Sequence, residues 1–151
     1  MPTGAPDVPA EATYEYGATV PAAAVPTMEG YTFSGWTGEV TTMPDKDVEV
    51  TGSWSINSHK VTYSYTGEVP TGAPDVPAEA TYEYGATVPA AAVLTLEGYT
   101  FSGWSGEVTT MPDKDVEVTG SWTINSHKVI YSYTGEMPTG APDVPAEATS
   151  E

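Results

Sequence analysis

The chain repeats itself with a period of 68 residues. Residues 1–68 and 69–136 differ at six positions only: Met1/Val69, Pro26/Leu94, Met28/Leu96, Thr37/Ser105, Ser55/Thr123 and Thr62/Ile130. Residues 137–149 begin a third copy, in which Met137 stands for Val69. A fixed period of this kind marks a tandem array, whose units stack on their neighbours. Arrays serve length, spacing or multivalency, and an enzyme has little use for one site printed twice. The repeat therefore points away from catalysis before any single residue is read.

A 68-residue unit lies near the lower limit for independent folding, because small domains bury a modest share of their surface. Such units are commonly stapled, yet the chain has no cysteine, so disulfides are excluded. The core must come from β-branched and aromatic side chains. Each period supplies two Trp, one Phe and five Tyr, rings that bury much apolar area per residue. Each period also carries nine acids against two lysines, and the whole chain has a formal net charge of −17 with no arginine. Such a surface repels nucleic-acid backbones and anionic membranes, so neither is expected as a partner. No stretch is long and apolar enough to cross a membrane as a helix, and no sorting signal is visible.

Within one repeat every regular element reads as a strand. Glu68 to Ala80 holds three prolines and a glycine, which forbid a regular strand or long helix. Thr81 to Val88 places Tyr82 and Tyr84 on one face and Glu83 on the other, a half-buried strand bent at Gly85. Pro89 to Gly98 contains an alanine run with room for one helical turn. Tyr99 and Phe101 share a face, and Gly103 is placed to re-aim Trp104. Thr110 to Asp115 is turn chemistry, after which Val116, Val118 and Trp122 continue a strand interrupted at Gly120. Lys128 to Thr134 alternates Val129, Tyr131 and Tyr133 against Ile130, Ser132 and Thr134. The expected fold class is mainly β, α+β at most.

The phase of the folded unit differs from the phase of the printed one. Ile124 to His127 is the most polar short break without core residues, which places the boundary there. Residues 1–56 are then a repeat domain lacking its first strand, 57–124 a complete domain, and 125–151 the first strand and proline-rich loop of a following one. An unpaired edge and a spare strand are complementary objects.

The residues Gly-Tyr-Thr-Phe-Ser-Gly-Trp (98–104), the run from Thr110 to Trp122, and Val-Thr-Tyr-Ser-Tyr-Thr-Gly (61–67) carry a family resemblance. They resemble the SHIRT repeats (streptococcal high-identity repeats in tandem), and the first motif is similar to the Listeria–Bacteroides, internalin B-type repeat. The resemblance implies small β-rich, β-grasp-like modules arranged head to tail as an elongated rod. It also implies a structural stalk of a bacterial, cell-wall-anchored surface protein of adhesin type, anchored through regions outside this chain. That family has no catalytic residues to carry over.

Residues with chemical potential have plainer readings. His59 and His127 stand at the boundary without Cys or carboxylate partners at ligand spacing, and read as solvent-exposed linker residues. Asp113, Asp115 and Glu117 imitate a fragment of a calcium loop whose central glycine and terminal glutamate are missing. Lys128 and Asn125 are too close in sequence for a buried isopeptide staple. Tyr63, Tyr65, Trp36 and Trp54 could stack on a glycan, but a core without disulfides claims those rings first. No catalytic, cofactor-binding or metal-ligating residue is assigned. The expected partners are neighbouring repeats of the same chain. A second candidate is another copy, engaged head to tail through Lys128, Val129, Ile130, Tyr131, Ser132, Tyr133 and Thr134, which would make a filament. A glycan or host-protein binding module is the third reading.

Overall fold

A computed structural model describes residues 1–150 of the chain. Nine short strands and no helix occur among them. They are β1 (Tyr31–Phe33), β2 (Trp54–Ile56), β3 (Ser58–Tyr65), β4 (Ala80–Glu83), β5 (Tyr99–Phe101), β6 (Val116–Gly120), β7 (Trp122–Ile124), β8 (His127–Val129) and β9 (Ala148–Ser150). The protein is thus mainly β. The domain assignment 125–151 reaches one residue past the described ones, at Glu151.

The sheets are small: β1–β2, β4–β3–β6, β5–β7 and β8–β9. β1 and β2 are antiparallel, pairing Tyr31 with Ile56, Thr32 with Ser55 and Phe33 with Trp54. β5 and β7 repeat that register one period later, from Tyr99–Ile124 to Phe101–Trp122. In both pairs the aromatic residues at the strand ends are half-buried and the threonine between them is exposed, as the period of two requires. Gly103, at a φ of +89°, turns the chain directly after β5.

By packing, the chain divides into two compact units. Unit 1 comprises Met1–Thr62, Ala78–Ala90 and Glu107–Glu117, and unit 2 comprises Tyr63–Pro77, Ala91–Gly106 and the chain from Val118 onward. Val61, Val88, Met111 and Val116 are the buried apolar side chains of unit 1. Unit 2 buries Val118 and gathers five rings: Tyr65 lies flat on Trp104 (centroids 6.2 Å apart, 6° between planes) and meets Phe101 and Trp122 by its edge. Tyr63 meets Trp104 edge-on at 5.4 Å. These are the offset and T-shaped arrangements that ring quadrupoles favour.

The central strand β3 decides the state of its flanks. Where it lies between β4 and β6, Ala80–Glu83 and Val116–Gly120 are strands. The same residues one period earlier, Ala12 to Glu15 and Val48 to Val50, are irregular. Val88, Met111, Val116 and Val118 are buried, while Val20, Met43, Val48 and Val50 are not. Identical sequence in two states shows pairing and burial deciding strand formation, with propensity held constant.

Four local expectations are corrected. Pro89 to Gly98 makes no helical turn: Val88 is tied to Thr109, and the Ala92 carbonyl accepts the Trp104 indole N–H at 2.9 Å. The strand over Thr81 to Val88 runs instead from Ala80 to Glu83, ending where the Tyr84 amide turns to Asn57. The strand through Val116 and Trp122 is two strands, broken at Ser121 and assigned to different sheets. Finally, only His127–Val129 of the run to Thr134 is extended as a strand. β3 reaches eight residues with a neighbour on each edge, whereas β8 pairs only with β9 among the described residues.

Candidate functional site

Unit 1 contains the place where the first copy hands over to the second, and this joint is the most densely bonded polar site of the chain. One residue, Asn57, separates β2 from β3. Its amide N–H donates to the Gly30 carbonyl (2.8 Å) and its own carbonyl accepts the Tyr84 N–H (2.8 Å). Its side-chain oxygen accepts the Thr32 hydroxyl, and its Nδ2 donates to Asp113 Oδ1 (3.0 Å). A residue with both backbone groups and both side-chain atoms engaged is a fastening, not a loose linker.

Asp113 is the other centre of the joint. Its Oδ2 accepts the Gly30 N–H at 3.0 Å, and its Oδ1 lies 2.8 Å from His59 Nε2 besides meeting Asn57. His59 Nδ1 lies 3.4 Å from Asp115 Oδ1, which also accepts the Lys60 amide N–H at 2.9 Å. Hydrogen bonds from Asn57 and His59, then from Gly30, hold the Asp113 carboxyl below its ordinary range. The Lys60 amide does the same for Asp115, with His59 assisting.

An aromatic clamp closes beside these polar groups. The Tyr84 hydroxyl donates to Glu29 Oε1 at 3.0 Å, which raises the phenol above its usual pKa. The Tyr84 ring stands edge-on to Tyr31, with centroids 6.4 Å apart. It also lies across Gly30, where a Cβ would fall 2.0 Å from Tyr84 Cδ2. Gly30 has a φ of +84° and is buried, so backbone angle and space both require glycine there.

The joint consists of two halves from successive copies. Glu29, Gly30, Thr32, Asn57 and His59 descend from one, and Tyr84, Asp113 and Asp115 lie one period beyond Tyr16, Asp45 and Asp47. The first half persists in the second copy, where Asn125 donates to the Gly98 carbonyl (2.8 Å) and accepts the Thr100 hydroxyl. There, however, nothing lies within 4 Å of a Cβ placed on Gly98. The second half persists in the first copy with Tyr16 78% exposed.

The histidine reading is corrected at one of its two positions. His59 is a half-buried strand residue facing two carboxylates, and only His127 is exposed. Asp113 and Asp115 are engaged by amides and imidazole, and no group of three or more His, Cys, Asp or Glu among the described residues is placed to hold a metal. The four rings weighed for a glycan groove are not gathered in one place. Tyr63 and Tyr65 pack on Trp104, while Trp36 and Trp54 pack on Phe33. Lys128 pairs with Glu147 at 2.9 Å, on the surface.

The matches to known proteins follow the same division of the chain. The Listeria-Bacteroides repeat domain model matches residues 3–56 and again 59–133, meeting at the joint. The chain belongs to the Listeria-Bacteroides repeat family. Internalin H of Listeria monocytogenes serovar 1/2a is 29% identical over 78% of this chain and 24% of its own length. A putative membrane protein of Evansella cellulosilytica is 26% identical over 85% of this chain and 22% of its own. The Listeria-Bacteroides repeats of this chain thus span about a quarter of those relatives. No solved structure matches the chain.

Proposed function

We propose that this chain is a spacer section of a bacterial surface protein, a stalk of stacked repeats that carries a binding domain away from the cell. The observation that carries the reading is the joint: successive copies are fastened across a single residue, Asn57, by Gly30, Tyr84 and Asp113. A spacer transmits distance only when its repeats cannot swivel, and a joint without loose linker residues serves that end. The family, the similarity to Internalin H and the strongly acidic surface all support it. On this reading the folded modules are 1–56 and 57–124, close to the spans matched by the family model, with 125–151 opening a third. Kinship to the SHIRT repeats, anchoring to the cell wall and a role under an adhesin belong to the same proposal. The chain performs no catalysis on this reading.

Two spin labels, one on each side of the joint, test it. The proposal expects one narrow distance distribution, broadened by Asn57→Ala or Asp113→Ala. A broad distribution in the unsubstituted chain would mean a swivelling tether and would end the spacer reading.

A further inference from the structure

Unit 1 holds an aromatic trough that matches a filled one in unit 2. Phe33 meets Trp36 at 4.9 Å and 69°, and Trp54 at 5.0 Å and 55°. Phe101 meets Trp104 at 4.9 Å and 70°, and Trp122 at 4.9 Å and 51°. In unit 2 the β3 tyrosines close the trio: Tyr65 lies flat on Trp104, and its hydroxyl donates to the Pro74 carbonyl. The Thr66 N–H then ties the strand end to the Gly120 carbonyl at 2.9 Å. In unit 1 the same place is a cavity of about 410 Å³, walled by Pro6, Val8, Phe33, Trp36, Val50 and Trp54. Along it run Val48 to Val50, the irregular copy of β6.

The chain also carries a segment that fits. Lys128 to Thr134 repeats Lys60 to Thr66 with one change, Ile130 for Thr62. Thr62 is an exposed residue of β3, so the change leaves the buried face of the strand intact and raises its strand preference. Tyr131 and Tyr133 are 48% and 47% exposed, and Ile130 is 69% exposed.

We propose that the unit 1 trough takes the Lys128–Thr134 segment of a second copy of this chain as an inserted strand. Val129 takes the place that Val61 holds in the second repeat. Tyr131 and Tyr133 close over Trp36 as Tyr63 and Tyr65 close over Trp104, and the Thr134 N–H meets the Gly52 carbonyl. The exposed halves of the joint come together in the same step. Asp45 receives the Gly98 N–H, Asn125 and His127, while the Tyr16 ring covers Gly98 and its hydroxyl reaches Glu97. Pairing turns Val48 to Val50 into strand, as in β6. The incoming strand brings its own loop and β9, which duplicate Met1 to Glu15 of the receiving copy, so one of those two stretches stays outside. The donor and acceptor faces differ, so the contact is heterologous and propagates head to tail. Like charge opposes it, and salt that screens the −17 of each chain promotes it.

Sedimentation of the full chain from low micromolar to near millimolar, at physiological and at high salt, tests the proposal. The expected result is a weight-average mass that at least doubles with concentration, more readily at high salt. Tyr131→Ser with Tyr133→Ser blocks the donor through exposed residues, and Val50→Lys blocks the acceptor. Each variant alone should stay monomeric, and a mixture of the two should give a one-to-one complex and nothing longer. That complex also shows that both variants fold. Monomer under every condition, assembly of the donor-blocked variant, or a mixture that fails to pair would each overturn it.

Discussion

The Asp113 carboxylate accepts the amide N–H of Gly30 across 83 residues of sequence, at 3.0 Å, and so binds one copy of the repeat to the next. A carboxylate with three donors on its two oxygens resists protonation, and a glycine amide so engaged sits where no side chain fits. Several measurable consequences come from that pair and its surroundings.

Gly30→Ala and Gly98→Ala should differ although both residues have φ near +85°. The backbone angle costs both variants about 1–2 kcal/mol. Gly30→Ala adds the collision with the Tyr84 ring, a further loss of about 1–3 kcal/mol as overpacking. Thermal unfolding of both variants reads the difference, and Tyr84→Ala should erase it. Equal destabilisation would mean that the ring does not press on Gly30 in solution.

Acid should loosen the joint in a defined direction. Asp113 and Asp115 titrate below their ordinary value of 3.8 in the folded chain, so the unfolded chain binds more protons as pH falls. Their contribution is complete above 3.8 and is lost as pH drops through the lowered folded values. Lys60 stays charged throughout, and His59 faces both carboxylates. Denaturant titrations across the acid range should therefore show a stability slope that Asp113→Asn reduces and Asp45→Asn leaves nearly unchanged.

Two indoles of one ring cluster should respond differently to loss of their N–H. Trp122 Nε1 is buried with no partner among the described residues, whereas Trp104 Nε1 donates to Ala92. Trp104→Phe therefore loses a hydrogen bond worth about 1 kcal/mol in addition to area. Trp122→Phe removes an orphaned donor, which offsets the lost area. Paired urea curves check the order, and a larger loss for Trp122→Phe would show that its N–H is satisfied.

Tyr65 and Tyr133 occupy the same position of the period in opposite surroundings. Tyr65→Ala should cost about 3–5 kcal/mol, the range for emptying a ring from a packed cluster. Tyr133→Ala in dilute solution should stay within about 0.5 kcal/mol, as at other surface sites. Comparable losses would place the tail against a packed surface.

Local pattern predicted what local forces decide. The period of two at Tyr99–Phe101 and at Val116 and Val118 gave faces that the structure keeps, and the proline runs stayed irregular. The joint was illegible because its members come from two copies. Asp113 reads as a turn residue until Asn57, 56 residues away, is brought to it. His59 was placed in a linker for the same reason: its carboxylates lie in the next period. The only available hint was the repetition itself, which supplies each half of a contact twice. No local rule could separate Val48 from Val116, since every neighbour in sequence is the same and only the presence of β3 differs.

The division of the joint between two periods has a consequence for inheritance. Because Gly30 with Asn57, and Tyr84 with Asp113, each recur at a spacing of 68 residues, unequal crossing-over between aligned copies removes or adds a whole period wherever the exchange occurs. The two copies flanking the exchange still meet through the same glycine, asparagine, tyrosine and aspartate. A gene of this kind can lengthen or shorten its product by one module in a single event, with no new interface to evolve.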